Sequence, residues 1–318
     1  ILTPRELKDE YFLSQRSEHT VENARKKIRD VLDGKSSKVI AILGPCSIHD
    51  FDEAYDLAEM IKEFSRKVED KMVVIYRTYF QKPRTRVGWK GLAYDPDMNN
   101  EFDADNGLRR IREFLIRVYE LGLPCATEFT EKLFPEYIGD LIAYAAIGAR
   151  TTESQDHRDF ASGLEMPVGF KNSTSGDVSV AIDSVYASRG KTAYDGIDEN
   201  GRVCRIKTNG NPHTHVILRG GKSGPNYNYK LEEDIPVVID CSHGNSQKIY
   251  SRQLEVLEAF KKRILNGESI AGFMMEINLE AGAYDSRLGG LQRGKLRTDA
   301  CLGIKETIEA LERVYRGI

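Results

Sequence analysis

Short, uninterrupted apolar runs recur along the chain, separated by stretches in which apolar residues return every third and fourth position. The runs fall at 39–43, 72–77, 124–129, 142–149, 167–171, 215–219, 235–240 and 270–276. Runs of this length with almost no polar interruption predict strands covered on both faces, as in a parallel sheet. The helical spacing predicts helices at 20–33, 52–68, 105–121, 134–141, 155–163, 177–189, 246–265 and 300–315. Thr20 reads as the N-cap of the first, and Gly34 follows its end.

Strands alternating with helices eight times over define an α/β chain, and eight units in this length predict a closed (β/α)8 TIM barrel. An open doubly wound sheet is the weaker reading, because no Gly-x-Gly-x-x-Gly follows the first strand. One segment breaks the alternation. Residues 190–213 read as a β-hairpin turning at Asn200-Gly201, inserted between the fifth barrel helix and the sixth strand. The expected organisation is an N-terminal helical extension over 1–35 and a catalytic barrel over 36–318. The chain opens on Ile1 rather than Met, so further N-terminal residues are expected ahead of it.

Composition narrows the partners more than the fold. A net charge of −3 gives no reason to expect nucleic acid or a membrane surface as a partner. No apolar run reaches the length of a membrane span. The five cysteines at 46, 125, 204, 241 and 301 are odd in number and scattered, which is no disulfide framework. Cys125, Cys241 and Cys301 sit in apolar patterns and read as core residues. A reducing, cytoplasmic location is the expectation.

In a barrel of this type, chemistry collects at the C-terminal ends of the strands. Cys46 follows the first strand, and Arg77 ends the second, with Lys82, Arg84 and Thr85 in the loop beyond. Glu128 ends the third, Arg150 follows the fourth, Lys171 ends the fifth and Arg219 the sixth. His243 lies beyond the seventh, Glu276 ends the eighth, and Asp299 precedes the last helix. Each alone has a bland reading, as a surface ion pair or a loop histidine. Jointly, Arg77, Lys82, Arg150, Lys171 and Arg219 put five cations on one rim, whose mutual repulsion calls for anionic ligands such as phosphate and carboxylate. Cys46, His243, Glu276 and Asp299 form a mixed sulfur, nitrogen and oxygen donor set, suited to a catalytic divalent ion acting as a Lewis acid. Zn²⁺, Mn²⁺, Fe²⁺ and Co²⁺ all suit such a set.

Several motifs carry a resemblance. They are Leu43-Gly-Pro-Cys-Ser-Ile-His-Asp50, Lys82-Pro-Arg-Thr85, Val87-Gly-Trp-Lys-Gly91, Gly148-Ala-Arg-Thr-Thr-Glu-Ser-Gln155, Pro167-Val-Gly-Phe-Lys-Asn172, His215-Val-Ile-Leu-Arg-Gly-Gly221 and Thr298-Asp-Ala-Cys301. From about residue 20 to the C-terminus the chain resembles the type I, alpha-subgroup 3-deoxy-D-arabino-heptulosonate-7-phosphate (DAHP) synthases. The resemblance implies a transferase condensing phosphoenolpyruvate with D-erythrose 4-phosphate and water, the first step of the shikimate pathway and aromatic amino acid biosynthesis. It implies one divalent metal on Cys46, His243, Glu276 and Asp299, and phosphoenolpyruvate contacts from Arg77, Lys82, Glu128, Ala149, Arg150, Lys171 and Arg219. It assigns Arg84 and Thr85 to the erythrose 4-phosphate end. Lys82, Glu128, Lys171 and His243 are the expected catalytic residues, and a homodimer or homotetramer is the expected assembly.

The chain departs from the family's pattern at two places. Arg86 replaces a threonine beside the acceptor loop, which keeps open a second reading: a synthase using a different or amino-substituted aldose phosphate in a specialised pathway. A third reading, a catalytically silent barrel kept for binding or regulation, fits poorly with an intact donor set. Glu165 stands where feedback-inhibited relatives carry a small hydroxyl residue, and Tyr194, Asp195 and Gly196 replace a Phe-Leu-Ser-like turn in the hairpin. Weak or absent inhibition by phenylalanine and tyrosine is therefore expected. The alternative is that the hairpin serves subunit contacts alone.

Overall fold

The computed structural model describes residues 2–84, 86–284, 292–295 and 298–318. Two helices come first, α1 (Pro4–Glu10) and α2 (Gln15–Leu32). Then follow β1 (Val39–Gly44), α3 (Phe51–Lys67), β2 (Met72–Arg77), α4 (Ala104–Glu120), β3 (Cys125–Phe129), α5 (Phe134–Ile138), β4 (Tyr144–Ile147), α6 (Gln155–Ala161), β5 (Val168–Lys171) and α7 (Ser179–Arg189). The hairpin is β6 (Ala193–Ile197) and β7 (Val203–Lys207). The chain ends with β8 (Thr214–Leu218), β9 (Val237–Asp240), α8 (Gln253–Leu265), β10 (Gly272–Asn278), the short β11 (Leu302–Gly303) and α9 (Ile304–Gly317).

The strands run β1-β2-β3-β4-β5-β8-β9-β10, and β10 pairs back to β1 with Ile40 opposite Gly272. Every neighbouring pair in this ring is parallel. The expected (β/α)8 barrel is therefore the observed fold. Among the described residues no helix is long and apolar enough to cross a membrane.

Alternation along each strand sends every second side chain into the barrel. Ile40, Ile42, Val73, Ile75, Ala126, Ala146, Ile217, Val238 and Met274 form that interior, and Ala24, Ile28, Val31 and Leu32 of α2 join the same cluster. The apolar stripe of α2 thus floors the barrel at the strands' N-terminal ends. One step of two residues further up each strand the interior changes character. Ile75 is followed by Arg77, Ala126 by Glu128, Gly169 by Lys171, Ile217 by Arg219, Val238 by Asp240 and Met274 by Glu276. A hydrocarbon floor under a charged upper layer is what positions the site.

The hairpin pairs antiparallel, Ala193 opposite Lys207 through Ile197 opposite Val203. Its turn passes through Gly201, whose φ of 74° favours glycine. The α1 helix docks on that turn: Arg5 N donates to Glu199 O at 2.8 Å, and the two side chains pair at 3.1 Å.

Several boundaries differ from the sequence-based expectation. The helix expected at 20–33 begins at Gln15, because Ser14, not Thr20, caps it by accepting from Ser17 N; the Thr20 hydroxyl instead donates to Arg16 O. The helix expected at 246–265 begins only at Gln253, because Gln247 and Lys248 take left-handed backbone conformations incompatible with a helix. The strand expected at 142–149 shortens to Tyr144–Ile147, and the last helix starts at Ile304 after β11. The α1 helix went unread; its signal was Thr3-Pro-Arg-Glu6, a capping box with proline in the first turn.

Candidate active site at the barrel mouth

A cavity of about 360 Å³ opens at the C-terminal ends of the strands, and nearly all the expected residues line it. Cys46, Arg77, Lys82, Arg84, Glu128, Ala149, Arg150, Lys171, Arg219, His243 and Asp299 are on its wall. Glu276 lies beneath, bonded to Arg77. Thr85 lies outside the described residues.

The buried cations are held by buried carboxylates. Arg77 donates from Nη2 to Glu276 Oε1 at 2.8 Å and from Nε to the Pro45 carbonyl at 3.0 Å, and its guanidinium lies 3.8 Å from the Tyr79 ring centre. Lys171 Nζ sits 2.8 Å from Glu128 Oε2 and 3.6 Å from Asp240 Oδ2. Burial would raise the Glu128 pKa, but Lys171 overrides it and holds the carboxyl below its ordinary range. Asp240 shows the same balance: His243 and Lys171 pull it well down against burial. Part of the anionic counterpart expected for the five cations is thus the protein's own. Glu128, Asp240 and Glu276 already neutralise the deepest two. Arg219 is half-buried, and burial disfavours its charge; it donates from Nη1 to the Gly220 carbonyl at 3.2 Å.

The donor set gathers on the other side of the mouth. Cys46, Glu276 and Asp299 each bring a ligand atom to within 4.8 Å of the others. His243 joins through Nε2, which lies 3.5 Å from Glu276 Oε1. Its tautomer follows from its neighbours. The Ser242 hydroxyl donates to Asp240 Oδ1 at 2.5 Å, so it can only accept from His243 Nδ1 at 2.7 Å. In the neutral imidazole that a metal ligand must be, the proton on Nδ1 leaves Nε2 its lone pair for a ligand role.

Lys82 stands within this group, 2.6 Å from Cys46 Sγ and 3.3 Å from Asp299 Oδ2. A cation drawn in among one sulfur and two carboxylates shows that the set favours positive charge. Burial disfavours the Lys82 charge, but Cys46, Glu276 and Asp299 outweigh it and raise the pKa. Burial would raise Asp299, but Lys82 holds it at about 2. Burial, then Glu276, pushes the Cys46 thiol up to about 11, so it becomes a thiolate at neutral pH only with a stronger cation beside it. The soft sulfur, the imidazole lone pair and two carboxylates therefore fit a divalent transition ion.

Sequence reasoning missed Tyr79, Asp240 and Lys248. Asp240 was legible as the last residue of its strand, where the strand-end rule points. Tyr79 lies two residues beyond Arg77, in line with it. Lys248 carried no signal, because a left-handed turn delivers it.

A barrel whose rim joins a cationic nest to a mixed donor set defines a (β/α)8 enzyme of phosphorylated substrates. The profile of the DAHP synthetase I family matches residues 16–312, and the chain belongs to that family. It is 41% identical to the Tyr-sensitive phospho-2-dehydro-3-deoxyheptonate aldolase of Escherichia coli (strain K12), covering all of this chain and 93% of that protein. It is 42% identical to the Trp-sensitive enzyme of Escherichia coli O6:H1, covering all of this chain and 95% of that protein. The solved phospho-2-dehydro-3-deoxyheptonate aldolase of Francisella tularensis SCHU S4 superposes with a TM-score of 0.96 at 40% identity, over 100% of this chain and 96% of that one.

Proposed function

We propose that this enzyme condenses phosphoenolpyruvate with D-erythrose 4-phosphate and water to DAHP and phosphate, the first step of the shikimate pathway. The observation that carries this reading is the rim itself: Arg150, Lys171 and Arg219 face the donor set of Cys46, His243, Glu276 and Asp299 across one cavity. A divalent ion on those four residues (Mn²⁺, Fe²⁺, Co²⁺ or Zn²⁺) supplies Lewis-acid polarisation of a carbonyl oxygen.

The chain's own residues do the rest. Arg150, Lys171 and Arg219 bind the phosphate and carboxylate of phosphoenolpyruvate and aim C3 at the aldehyde carbon. Arg77, held by Glu276 and Tyr79, supports them from below. As C3 bonds to that carbon, negative charge grows on the aldehyde oxygen, and Lys82 donates its proton there. Positive character develops at C2, and water adds to it. Glu128, a carboxylate fixed by Lys171, orients that water. The added water sheds one proton, replacing the one Lys82 gave, and the resulting phosphohemiketal breaks its C2–O bond to phosphate, its hydroxyl proton leaving with the phosphate as the C2 ketone forms.

Phosphate release from phosphoenolpyruvate is expected to require erythrose 4-phosphate and to stop with EDTA, returning when a divalent ion is added back. Full turnover in EDTA after dialysis would remove the ion from the reading. A panel of aldose phosphates tests the acceptor, to which Arg86 adds a cation on the cavity wall.

The finer reading includes regulation. The Glu165 carboxylate pairs with the buried Arg25 guanidinium at 2.9 Å, which Glu22 shares. Its charge is thus partly compensated, so it repels an amino acid carboxylate less than a free carboxylate would, while its side chain still fills volume that a small hydroxyl residue would leave open. Asp195 is paired with Arg205 across the hairpin, and α1 covers the hairpin turn. A titration of phosphate release with phenylalanine or tyrosine is expected to show no inhibition below about millimolar effector. Micromolar inhibition by either would contradict it. Assembly as a homodimer or homotetramer belongs to the same reading, supported by exposed Val203 on the open edge of the hairpin. So does a reducing cytoplasm, supported by five unpaired cysteines.

A further inference from the structure

Lys248 is a cation of the cavity wall that the chemistry above leaves without a task. The loop that delivers it is strained. His243, Gln247 and Lys248 have φ of 55°, 52° and 61°, a region that residues bearing a Cβ rarely adopt. Gly244, which would adopt it freely, does not; it is needed for close packing, since a Cβ there would meet Gly221 N at 2.3 Å.

The surroundings hold the strain in place. Lys248 N donates to His243 O at 2.8 Å, closing the turn. Asn245, buried to 3% exposure, donates from Nδ2 to Leu218 O at 2.9 Å and Asp240 O at 2.8 Å, tying the turn to the ends of β8 and β9. Its backbone N donates to Arg219 O at 3.1 Å. A strained turn so firmly over-determined marks a place where side-chain aim matters. It aims two side chains at the cavity. The donor set accounts for His243 and leaves Lys248.

Position narrows the task. In the ring, β1 and β10 stand between β2 and β9. Arg84 and Arg86, on the loop after β2, and Lys248, on the loop after β9, therefore flank the strands that carry Cys46 and Glu276. The Arg84 guanidinium lies across Gly88, where a Cβ would meet Nε at 2.8 Å. Arg150, Lys171 and Arg219 belong to β4, β5 and β8, on the remaining arc. A second anionic group, reaching outward from a carbonyl at the donor set, meets cations from both flanks.

We propose that Lys248 is a specificity-determining residue that binds the terminal phosphate of the aldose acceptor, from the flank opposite Arg84 and Arg86. This rests on the condensation proposed above. A phosphate carries close to two negative charges at neutral pH, and a lysine serves it as a movable point charge beside an arginine fork.

The test compares erythrose 4-phosphate with unphosphorylated erythrose in the metal-loaded enzyme, for wild type, Lys248→Ala and Lys248→Arg. Lys248→Ala is expected to lower kcat/KM for erythrose 4-phosphate about 10–100-fold, the worth of a charge-assisted hydrogen bond. That loss falls mainly on KM for the acceptor and is at least tenfold greater than the loss with erythrose. Lys248→Arg is expected to recover most of it. Inorganic phosphate, as a competitor against the acceptor, is expected to inhibit Lys248→Ala at least fivefold more weakly than wild type. Equal losses with both acceptors, no loss with either, or unchanged phosphate inhibition overturns the assignment. If wild type itself releases no phosphate with erythrose 4-phosphate, the reading of the site fails, and the role of Lys248 with it.

Discussion

Replacing Cys46 with alanine is expected to lower turnover roughly 10³-fold or more, because several kcal/mol of carbonyl polarisation leave with the ion. The sulfur is the soft member of the donor set, and its loss leaves His243, Glu276 and Asp299 to hold an ion with one imidazole and two carboxylates. Lys82, now without its contact at 2.6 Å, is left with Asp299 at 3.3 Å, so the ammonium competes more directly for the same carboxylate. Metal content of the purified variant is expected to fall with activity, while its thermal unfolding stays near wild type, since the buried Cys46 side chain packs with Cys301 apart from the main apolar core. Elemental analysis alongside phosphate release separates this from a folding defect. A variant that keeps its ion and turns over within tenfold of wild type would take Cys46 out of the donor set.

The second large effect is on stability. Lys171→Met is expected to destabilise the fold by about 3–5 kcal/mol at neutral pH, because it strips the partner from buried carboxylates. Lys171 is 3% exposed, with Glu128 and Asp240 against it. The sign with pH follows from Glu128. Its folded pKa lies below the unfolded value, so its stabilising contribution is complete above the ordinary glutamate range near about 4.3 and fades as pH falls through the depressed folded value. In the variant Lys171 is gone and burial prevails, so Glu128 takes up its proton at higher pH and the buried charge is relieved. The gap between wild type and variant is therefore expected to shrink as pH falls from 7 to about 5. Denaturant unfolding at the two pH values measures it, and an equal gap at both would mean that Glu128 is not the carboxylate left stranded.

How far the sequence could be read varies by kind of feature. Fully buried strands such as Val39–Gly44 and Met72–Arg77 show themselves, because both faces are apolar and the runs are too short for a buried helix. The hairpin was visible for a similar reason: a type of turn that needs Asn-Gly carries its own residues. Helix starts were less legible. Ser14 and Thr20 are both acceptable caps, and only the packing of α2 beneath the barrel chooses between them. In the site, the strand-end rule placed Arg77, Glu128, Lys171 and Arg219 on one wall. It did not reveal that Glu128 and Asp240 share Lys171, since pairing across strands depends on register. Lys248 was beyond reach, because its direction comes from backbone angles that its own side chain disfavours.

The ring closes between its first and last barrel strands, with Ile40 and Ile42 of β1 opposite Gly272 and Met274 of β10. On the ribosome β1 emerges long before β10 exists, and until then one of its edges is an unsatisfied row of amide and carbonyl groups, open to pairing with another nascent chain. Such distant pairing is slow, because the entropy of a very long loop must be overcome first. Chains shortened before residue 272 are thus expected to collect in inclusion bodies, rather than to persist as smaller barrels.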